Sequence, residues 1–194
     1  MANHVTSHIC FENISEEAGK FLNDMNLTDN IEEILTLIFP ESYNDNDNSD
    51  SMWDWYSENI GSKWITIDEI YNDSINTTTA WVAPYSFYNG LYEKLQSLSS
   101  PDLEMWVTYD DEMPNFVGVF GRIGDYEYED CIEEEHYKAV FGITAYNEEK
   151  EEFDEGWWDR VHEFYADEYS AFKECYEQTK EIEKIAWQFV YILV

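Results

Sequence analysis

Basic side chains are scarce in this sequence: 10 Lys and Arg stand against 43 Asp and Glu, which leaves a formal net charge of −33. A surface this negative repels phosphates, so we expect no direct binding of nucleic acid and no nuclease chemistry. The charge instead indicates a partner with a basic surface, above all a protein that itself binds DNA or RNA. Solubility and adaptation to high salt also explain acidity, but solubility of a small domain needs a net charge of only about 2–8 in magnitude.

Cysteines and long apolar runs are also few. The three cysteines, Cys10, Cys131 and Cys175, are odd in number and far apart, which argues against a disulfide framework and favours a reducing compartment. No stretch approaches the roughly 20 apolar residues of a membrane-spanning helix. The opening segment Met1–Val5 lacks the basic and apolar regions of a signal peptide. We therefore expect a cytoplasmic protein without membrane contact.

Catalytic and metal-binding signatures are missing. The sequence has no Gly-x-Ser-x-Gly, no phosphate-binding Gly-rich loop and no His-Glu-x-x-His, so we expect a protein that is not an enzyme and needs no cofactor. Segment 45–51 resembles the start of a calcium loop, but Asp50 stands where the loop requires glycine. His4, His8 and Cys10 share one face of a predicted strand, yet a fourth zinc ligand is not evident. We expect no metal site.

Aromatic residues, by contrast, are abundant. They make up 18% of the chain, with 8 Trp, 15 Tyr and 11 Phe. A chain this acidic without them would be a candidate for disorder, because it could not bury enough apolar surface to offset its ordering entropy. The aromatic content therefore predicts a folded body whose surface carries the excess carboxylates. Its 194 residues suffice for one domain with a sizeable core.

The apolar patterns predict a mixture of strands and helices. Alternation predicts strands at 4–11, 63–67, 77–82, 103–109 and 116–123, with a weaker edge strand at 139–145. Helical spacing and capping predict helices at 15–25, 28–39, 85–98 and 155–193, and a brief one from 52 to about 61. Gly118 and Gly121 predict a bulge or a close backbone approach. This order of elements predicts an α+β fold, with a sheet and helices on one face.

Three short segments resemble a family of phage and plasmid proteins that carry a ferredoxin-like domain of unknown function. They are Met1–Val5, Gly61–Trp64 and Thr79–Pro84. The family tends to read Trp-Ser-Pro-Pro where this chain has Trp-Val-Ala-Pro, and no catalytic residues are implied. The resemblance implies a ferredoxin-like antiparallel sheet and a phage-like origin, with the host cytoplasm as the location. In its simplest interpretation, Trp64 and Trp81 are core residues on adjacent strands.

From the apolar patterns and the family resemblance together, we divide the chain into two regions where the resemblance ends. Residues 1–124 form a ferredoxin-like α+β core. Residues 125–194 add an acidic run, the edge strand and a long C-terminal helix, packed on the same domain.

Two sets of carboxylates form the predicted partner-binding site. The acidic run contributes Asp125, Glu127, Glu129, Asp130, Glu133, Glu134 and Glu135. The C-terminal helix contributes Glu163, Asp167, Glu174, Glu177 and Glu181 at spacings that share one helix face. Together they predict a continuous negative band, although the solvated face of any acidic protein shows the same pattern. Lys173, Lys180 and Lys184 are expected to neutralise the flank of the helix line in part.

The leading functional hypothesis is a phage-type inhibitor that acts as an acidic nucleic-acid mimic. It would occupy the basic DNA- or RNA-binding groove of a host defence protein, such as a nuclease, restriction or CRISPR-type complex. The alternative is a non-catalytic adaptor that binds a protein through exposed aromatics, with the charge serving solubility; its candidate residues are Trp53, Trp55, Trp157 and Trp158. A third interpretation is a divalent-cation-binding protein. The sequence identifies neither the target nor the oligomeric state, and a homodimer is one of the options.

Overall fold

The computed structural model describes residues 3–28, 30–40, 49–99, 101–113, 115–147 and 152–192, with side chains at all of these except 49–51, 147 and 183–192. The strands of this part of the chain are β1 (His4–Glu12), β2 (Ile65–Ile70), β3 (Ser74–Ala80), β4 (Glu104–Asp111), β5 (Phe116–Ile123), β6 (Tyr126–Glu133), β7 (Tyr146–Asn147) and β8 (Glu152–Phe153). The helices are α1 (Glu16–Asn26), α2 (Ile31–Ile38), α3 (Ser49–Asn59), α4 (Tyr85–Leu98), α5 (Glu134–Val140) and α6 (Trp157–Ile192).

Six strands form one antiparallel sheet in the order β2-β3-β1-β4-β5-β6. The first four strands and the helices between them follow the βαββαβ plan of a ferredoxin-like fold. The strands β5 and β6 extend this sheet beyond β4, so β6 is an edge strand. The predicted α+β class with an antiparallel sheet and a long C-terminal helix is therefore confirmed.

One side of the sheet, which we call the front face, bears the side chains of Val5, Ile9, Val107 and Phe120. The helices α1 to α4 pack on it and close the larger of two buried clusters. Local sequence explains the start of α1: Ser15 accepts a hydrogen bond from Ala18 N–H at 3.0 Å and caps the helix, as predicted.

The opposite side, the back face, is covered by α6 rather than left open. Phe172 of α6 is fully buried and stacks on Trp106 of β4 at 5.3 Å between ring centroids. A Cβ on Gly121 would lie 2.8 Å from this phenyl ring, so glycine is required for α6 to approach β5. The predicted close approach at Gly121 is confirmed, and so is that at Gly118, where the ring of Tyr109 takes the Cβ space.

The predicted edge strand at Ala139–Ala145 is wrong. The helix α5 runs to Val140, and the chain then turns through Gly142 at a φ of 76°. The reason is packing: Tyr137 and Phe141, four residues apart, both face Trp157, with ring centroids at 4.6 and 5.3 Å. This spacing suits a helix and anchors the second buried cluster on the back face.

No helix in the described ranges is long and apolar enough to cross a membrane.

Candidate partner-binding surfaces

The acidic run is a strand for most of its length. Glu127, Glu129 and Glu133 lie on the front face of β6 and are exposed, and we call them the strand acids. Asp130 is half-buried on the back face, between Tyr128 and Ile132. The remaining predicted residues lie at its ends: Asp125 in the turn before β6, and Glu134 and Glu135 in the first turn of α5, all exposed. The alternation of the strand therefore divides the predicted set between two faces.

One strand acid is held by a cation. Arg122 of β5 lies on the front face, with its side chain only 11% exposed, and its Nε is 3.6 Å from Glu127 Oε1. The same guanidinium donates to Asn89 Oδ1 at 2.5 Å and lies 3.4 Å from Glu93 Oε1. It also covers the ring of Tyr92 at 4.7 Å. Glu127 is thus partly neutralised, whereas Glu129 and Glu133 face solvent.

The five predicted helix acids form a row on the outward side of α6, and all of them are exposed. We call them the helix row: Glu163, Asp167, Glu174, Glu177 and Glu181. Their spacing keeps them within about 40° of one line, opposite Val161 and Phe172, which are buried against the sheet. Arg160 Nη1 donates to Glu163 Oε2 at 2.9 Å. The predicted line on one helix face is therefore present.

The lysines of α6 neutralise this row less than the sequence suggests. Lys173 turns toward the sheet, where its Nζ binds Glu104 and lies 3.6 Å from Glu12 Oε2. Lys180 Nζ lies over the ring of Tyr176, 4.5 Å from its centroid. The side chain of Lys184 lies outside the described part of the chain.

The two acidic sets do not form one band. The strand acids project from the front face of the sheet, whereas the helix row projects from a helix on the back face. The strand acids and the helix row are therefore not parts of one continuous surface.

Of the four tryptophans predicted for an aromatic adaptor, two are buried and two are exposed. Trp55 is 5% exposed and Trp157 is fully buried, so both belong to the core, and this part of the prediction is wrong. Each packs against a neighbouring aromatic ring rather than facing solvent. Trp53 and Trp158 are 59% and 40% exposed. The predicted core role of Trp81 is also wrong, since its side chain is 45% exposed.

A groove that the sequence did not reveal lies on the front face, where α4 begins and leaves the ends of β5 and β6 uncovered. Its volume is about 610 Å³. Its aromatic and apolar walls come from Ala83, Tyr85, Tyr109 and Phe116, and β6 contributes Cys131 and Glu133. The hydroxyls of Tyr85 and Tyr109 are hydrogen-bonded to each other at its base.

The mouth of the groove combines exposed apolar side chains with a strained backbone. Val82 is 47% exposed beside Trp81. Trp81 has a φ of 66°, a left-handed conformation that a bulky side chain rarely adopts. Lys63 Nζ lies 4.0 Å from the Trp81 ring centroid and 6.0 Å from that of Trp53. These features place two tryptophans and a lysine together at the surface.

Two of the three segments that carry the family resemblance meet next to this mouth, and the described end of the third joins them. The N–H of Trp81 donates to the carbonyl of Asn3 at 2.9 Å. The ring of His4 meets that of Trp64 at 5.4 Å between centroids, and the Ser62 hydroxyl donates to the Ala80 carbonyl at 2.9 Å. The short matching segments were therefore the sequence signal closest to the groove.

The structure supplies no metal cluster to support cation binding. No group of three or more His, Cys, Asp or Glu side chains in the described ranges could hold an ion. Cys10 Sγ lies 3.1 Å from His8 Nε2, and this contact raises the pKa of His8 to about 9. His4 instead faces Glu112, with 3.4 Å between Nδ1 and Oε2. Most of the calcium-like segment 45–51 lies outside the described residues. The three cysteines are free.

No family model and no curated protein sequence matches the chain. The resemblance to the phage and plasmid family thus stays an interpretation of three short segments.

Proposed function

We propose that the protein is a non-catalytic acidic inhibitor that occupies the basic, nucleic-acid-binding surface of a partner protein with its helix row. The observation that carries this proposal is the exposure of all five row carboxylates on the outward side of α6. They project away from the side chains that anchor the helix, so a partner can reach all of them at once.

The dimensions of the row suit this role. From Glu163 to Glu181 the helix rises about 27 Å at roughly 1.5 Å per residue. A single nucleic-acid strand presents about eight phosphates over that length, at roughly 3.4 Å per charge. Five carboxylates give a lower charge density than a strand, but the net charge of −33 adds a long-range field of the same sign.

The mechanism requires no turnover. The negative field speeds the approach to a basic groove, and the row then takes the positions of phosphates along it. Association should weaken steeply with salt, because the contacts are between exposed charges that ions screen. Nucleases and other DNA-binding complexes of a host cell, including restriction and CRISPR-type complexes, are the first targets to test.

The test is capture of partners from bacterial lysate, with elution by a salt gradient and identification of the eluted proteins. A row variant carries Glu163→Gln, Asp167→Asn, Glu174→Gln, Glu177→Gln and Glu181→Gln. A matched control carries Glu127→Gln, Glu129→Gln, Glu133→Gln, Glu134→Gln and Glu135→Gln, and so removes the same number of charges elsewhere.

The proposal expects a nucleic-acid-binding protein that DNA or RNA displaces and that the control variant still captures. Affinity of the row variant for it should fall at least about tenfold, the equivalent of roughly 1.4 kcal/mol. Equal losses in both variants would show that only the net charge matters and would reject the row as the contact surface.

A second candidate function, an adaptor that uses exposed aromatics, rests on Trp53 and Trp158 and on the exposed ring of Trp81. It expects partners without nucleic-acid function that stay bound through high salt. The same salt gradient separates the two functions.

A further inference from the structure

The groove on the front face is concave, open to the surface and lined mainly by apolar and aromatic groups. We infer that it is a binding site for an arginine side chain presented by a protein partner. The inference is independent of the helix row, because α6 lies on the opposite face of the sheet.

The walls suit a flat cation. The rings of Tyr85 and Phe116 line the groove and are half-buried, so part of each ring is accessible. Aromatic faces attract cations that lie within about 6 Å of the ring centroid, and arginine is the commoner partner. The guanidinium can stack on such a ring and donate hydrogen bonds at its edge at the same time.

The charge of the lining selects a cation. Glu133 is the formally charged side chain among the described residues that line the groove, which include no Lys or Arg. Burial raises the pKa of the Cys131 thiol, and the carboxylates of Glu133, Asp130 and Glu129 raise it further, so the thiol is neutral at neutral pH. Burial likewise raises the pKa of Tyr85, so its hydroxyl is also neutral.

The amino end of α4 also faces the groove, and a helix N-terminus favours anions. Two of its first N–H groups are already used, however. The N–H of Tyr85 donates to the Ala83 carbonyl at 3.0 Å, and that of Phe87 donates to the Ile60 carbonyl at 3.3 Å. The α4 end therefore offers an anion few free donors, and the carboxylate of Glu133 decides the charge preference.

The rim is shaped for contact with a protein surface. Trp81 and Val82 stand exposed beside the groove, and the backbone at Trp81 is held in the strained left-handed conformation. At the other end, the buried carboxylate of Asp111 accepts hydrogen bonds from Asn115 and from Met113 N–H, which fixes the turn that supports Phe116. Fixed walls lower the entropic cost of binding.

The test uses three short peptides that differ at one central residue: arginine, lysine or citrulline. Citrulline keeps the planar shape of arginine without its charge, and lysine keeps the charge without the plane. Chemical-shift changes in ¹⁵N-labelled protein report where each peptide binds. The inference expects the arginine peptide to shift the amides of Tyr85, Cys131 and Glu133, with affinity about three- to tenfold above that of the other two.

The acidic surface supplies an internal reference. Along α6, arginine and lysine peptides should cause equal shifts, because bare carboxylates sense charge alone. Equal effects of arginine and lysine in the groove, or shifts confined to α6, would overturn the inference.

Two variants fix the location. Glu133→Gln removes the groove charge, and Cys131→Phe fills the groove from a strand position that lines it and that tolerates an aromatic. Both should abolish the arginine preference, whereas Glu33→Gln, at an exposed position of α2 outside the groove, should leave it unchanged with the same loss of one charge as Glu133→Gln. Preserved arginine preference in a folded Cys131→Phe variant would also overturn the inference. None of these readouts involves the target of the helix row, so this site and the proposed inhibitor function can fail separately.

Discussion

The strand acids and the helix row carry the same kind of charge in different structural settings. The β6 strand is the edge of the sheet, where exposed charges discourage pairing with another chain, so Glu127, Glu129 and Glu133 have a structural reason to be acidic. The helix row has no such edge to protect: carboxylates three and four residues apart repel and weaken the helix, and the ion pair of Glu163 with Arg160 offsets only part of this. A charge that costs stability and protects nothing is the better candidate for function, and this difference leads us to place the inhibitor contact on α6.

The comparison also concerns how each set is anchored. The strand acids are fixed by the backbone ladder between β5 and β6. The helix row depends on side chains that bury one face of α6 on the back of the sheet, among them Phe172, which packs against Trp106 of β4 and Tyr126 of β6. Disruption of that packing should therefore loosen the helix row while leaving the strand acids in place.

The largest effect is expected for Phe172→Ala. Removal of this fully buried ring should lower the free energy of unfolding by about 3–5 kcal/mol, because it leaves a cavity between Trp106, Gly121 and Tyr126. Urea unfolding measures the loss. Hydrogen exchange should show loosened amides in α6 and protected ones in β5, and equal loosening of both would contradict the separate anchoring.

A third class of carboxylate sharpens the comparison. Asp110 is half-buried at the end of β4, and burial, together with the neighbouring Asp111, raises its pKa to about 6. Because the folded protein binds this proton more tightly than the unfolded chain, its ionisation destabilises the fold. Stability from this group is highest below about pH 4 and falls as the pH rises through about 6.

Asp110→Asn should therefore stabilise the protein at neutral pH by roughly 1–3 kcal/mol, since each pKa unit corresponds to about 1.36 kcal/mol. The gain should disappear toward pH 4, where the native carboxyl is protonated. Asp167→Asn, an exposed row position, is the control and should change stability little at either pH. Thermal unfolding across this pH range gives the comparison, and a pH-independent effect of Asp110→Asn would refute the assigned cause.

The sequence predicted elements better than their arrangement. The helix α4 occupies the predicted residues 85–98, since Pro84 and the spacing of Phe87, Leu91 and Leu95 are local signals. Periodicity also identified the outward side of α6. It cannot tell which side of a sheet a helix covers, because that depends on contacts between distant residues such as Phe172 and Gly121.

The same limit explains the tryptophans and the groove. Trp157 and Trp158 are neighbours, yet only the first lies in register with Val161 on the buried face of α6. Ile182, by contrast, continues the apolar pattern of α6 but is 67% exposed, so an apolar spacing alone does not bury a side chain. The groove joins Tyr85, Phe116 and Glu133 from three separate elements. No local sequence pattern predicts that these three residues lie side by side.

The smallest expected effect is the change in the free energy of unfolding when carboxylates of either set are neutralised. It tests the contrast between the strand acids and the helix row most directly. In the row variant, three like-charged pairs disappear: Glu163 with Asp167, Glu174 with Glu177, and Glu177 with Glu181. At about 0.2–0.5 kcal/mol each, the loss of these three repulsions, less that of the attractive Arg160–Glu163 pair, should raise the free energy of unfolding by roughly 0.4–1 kcal/mol. The gain should shrink at high salt, which screens the repulsion.

Glu127→Gln should have the opposite sign, because it removes one partner of the largely buried Arg122 guanidinium. We expect a loss of less than about 1 kcal/mol, since Asn89 and Glu93 still contact Arg122 and the carboxylate is half exposed. Urea unfolding at low and high salt measures both changes. If Glu127→Gln stabilises the protein, or if the row variant does not, then the strand acids do not support the fold while the helix row weakens it, and the contrast between the two sets is lost.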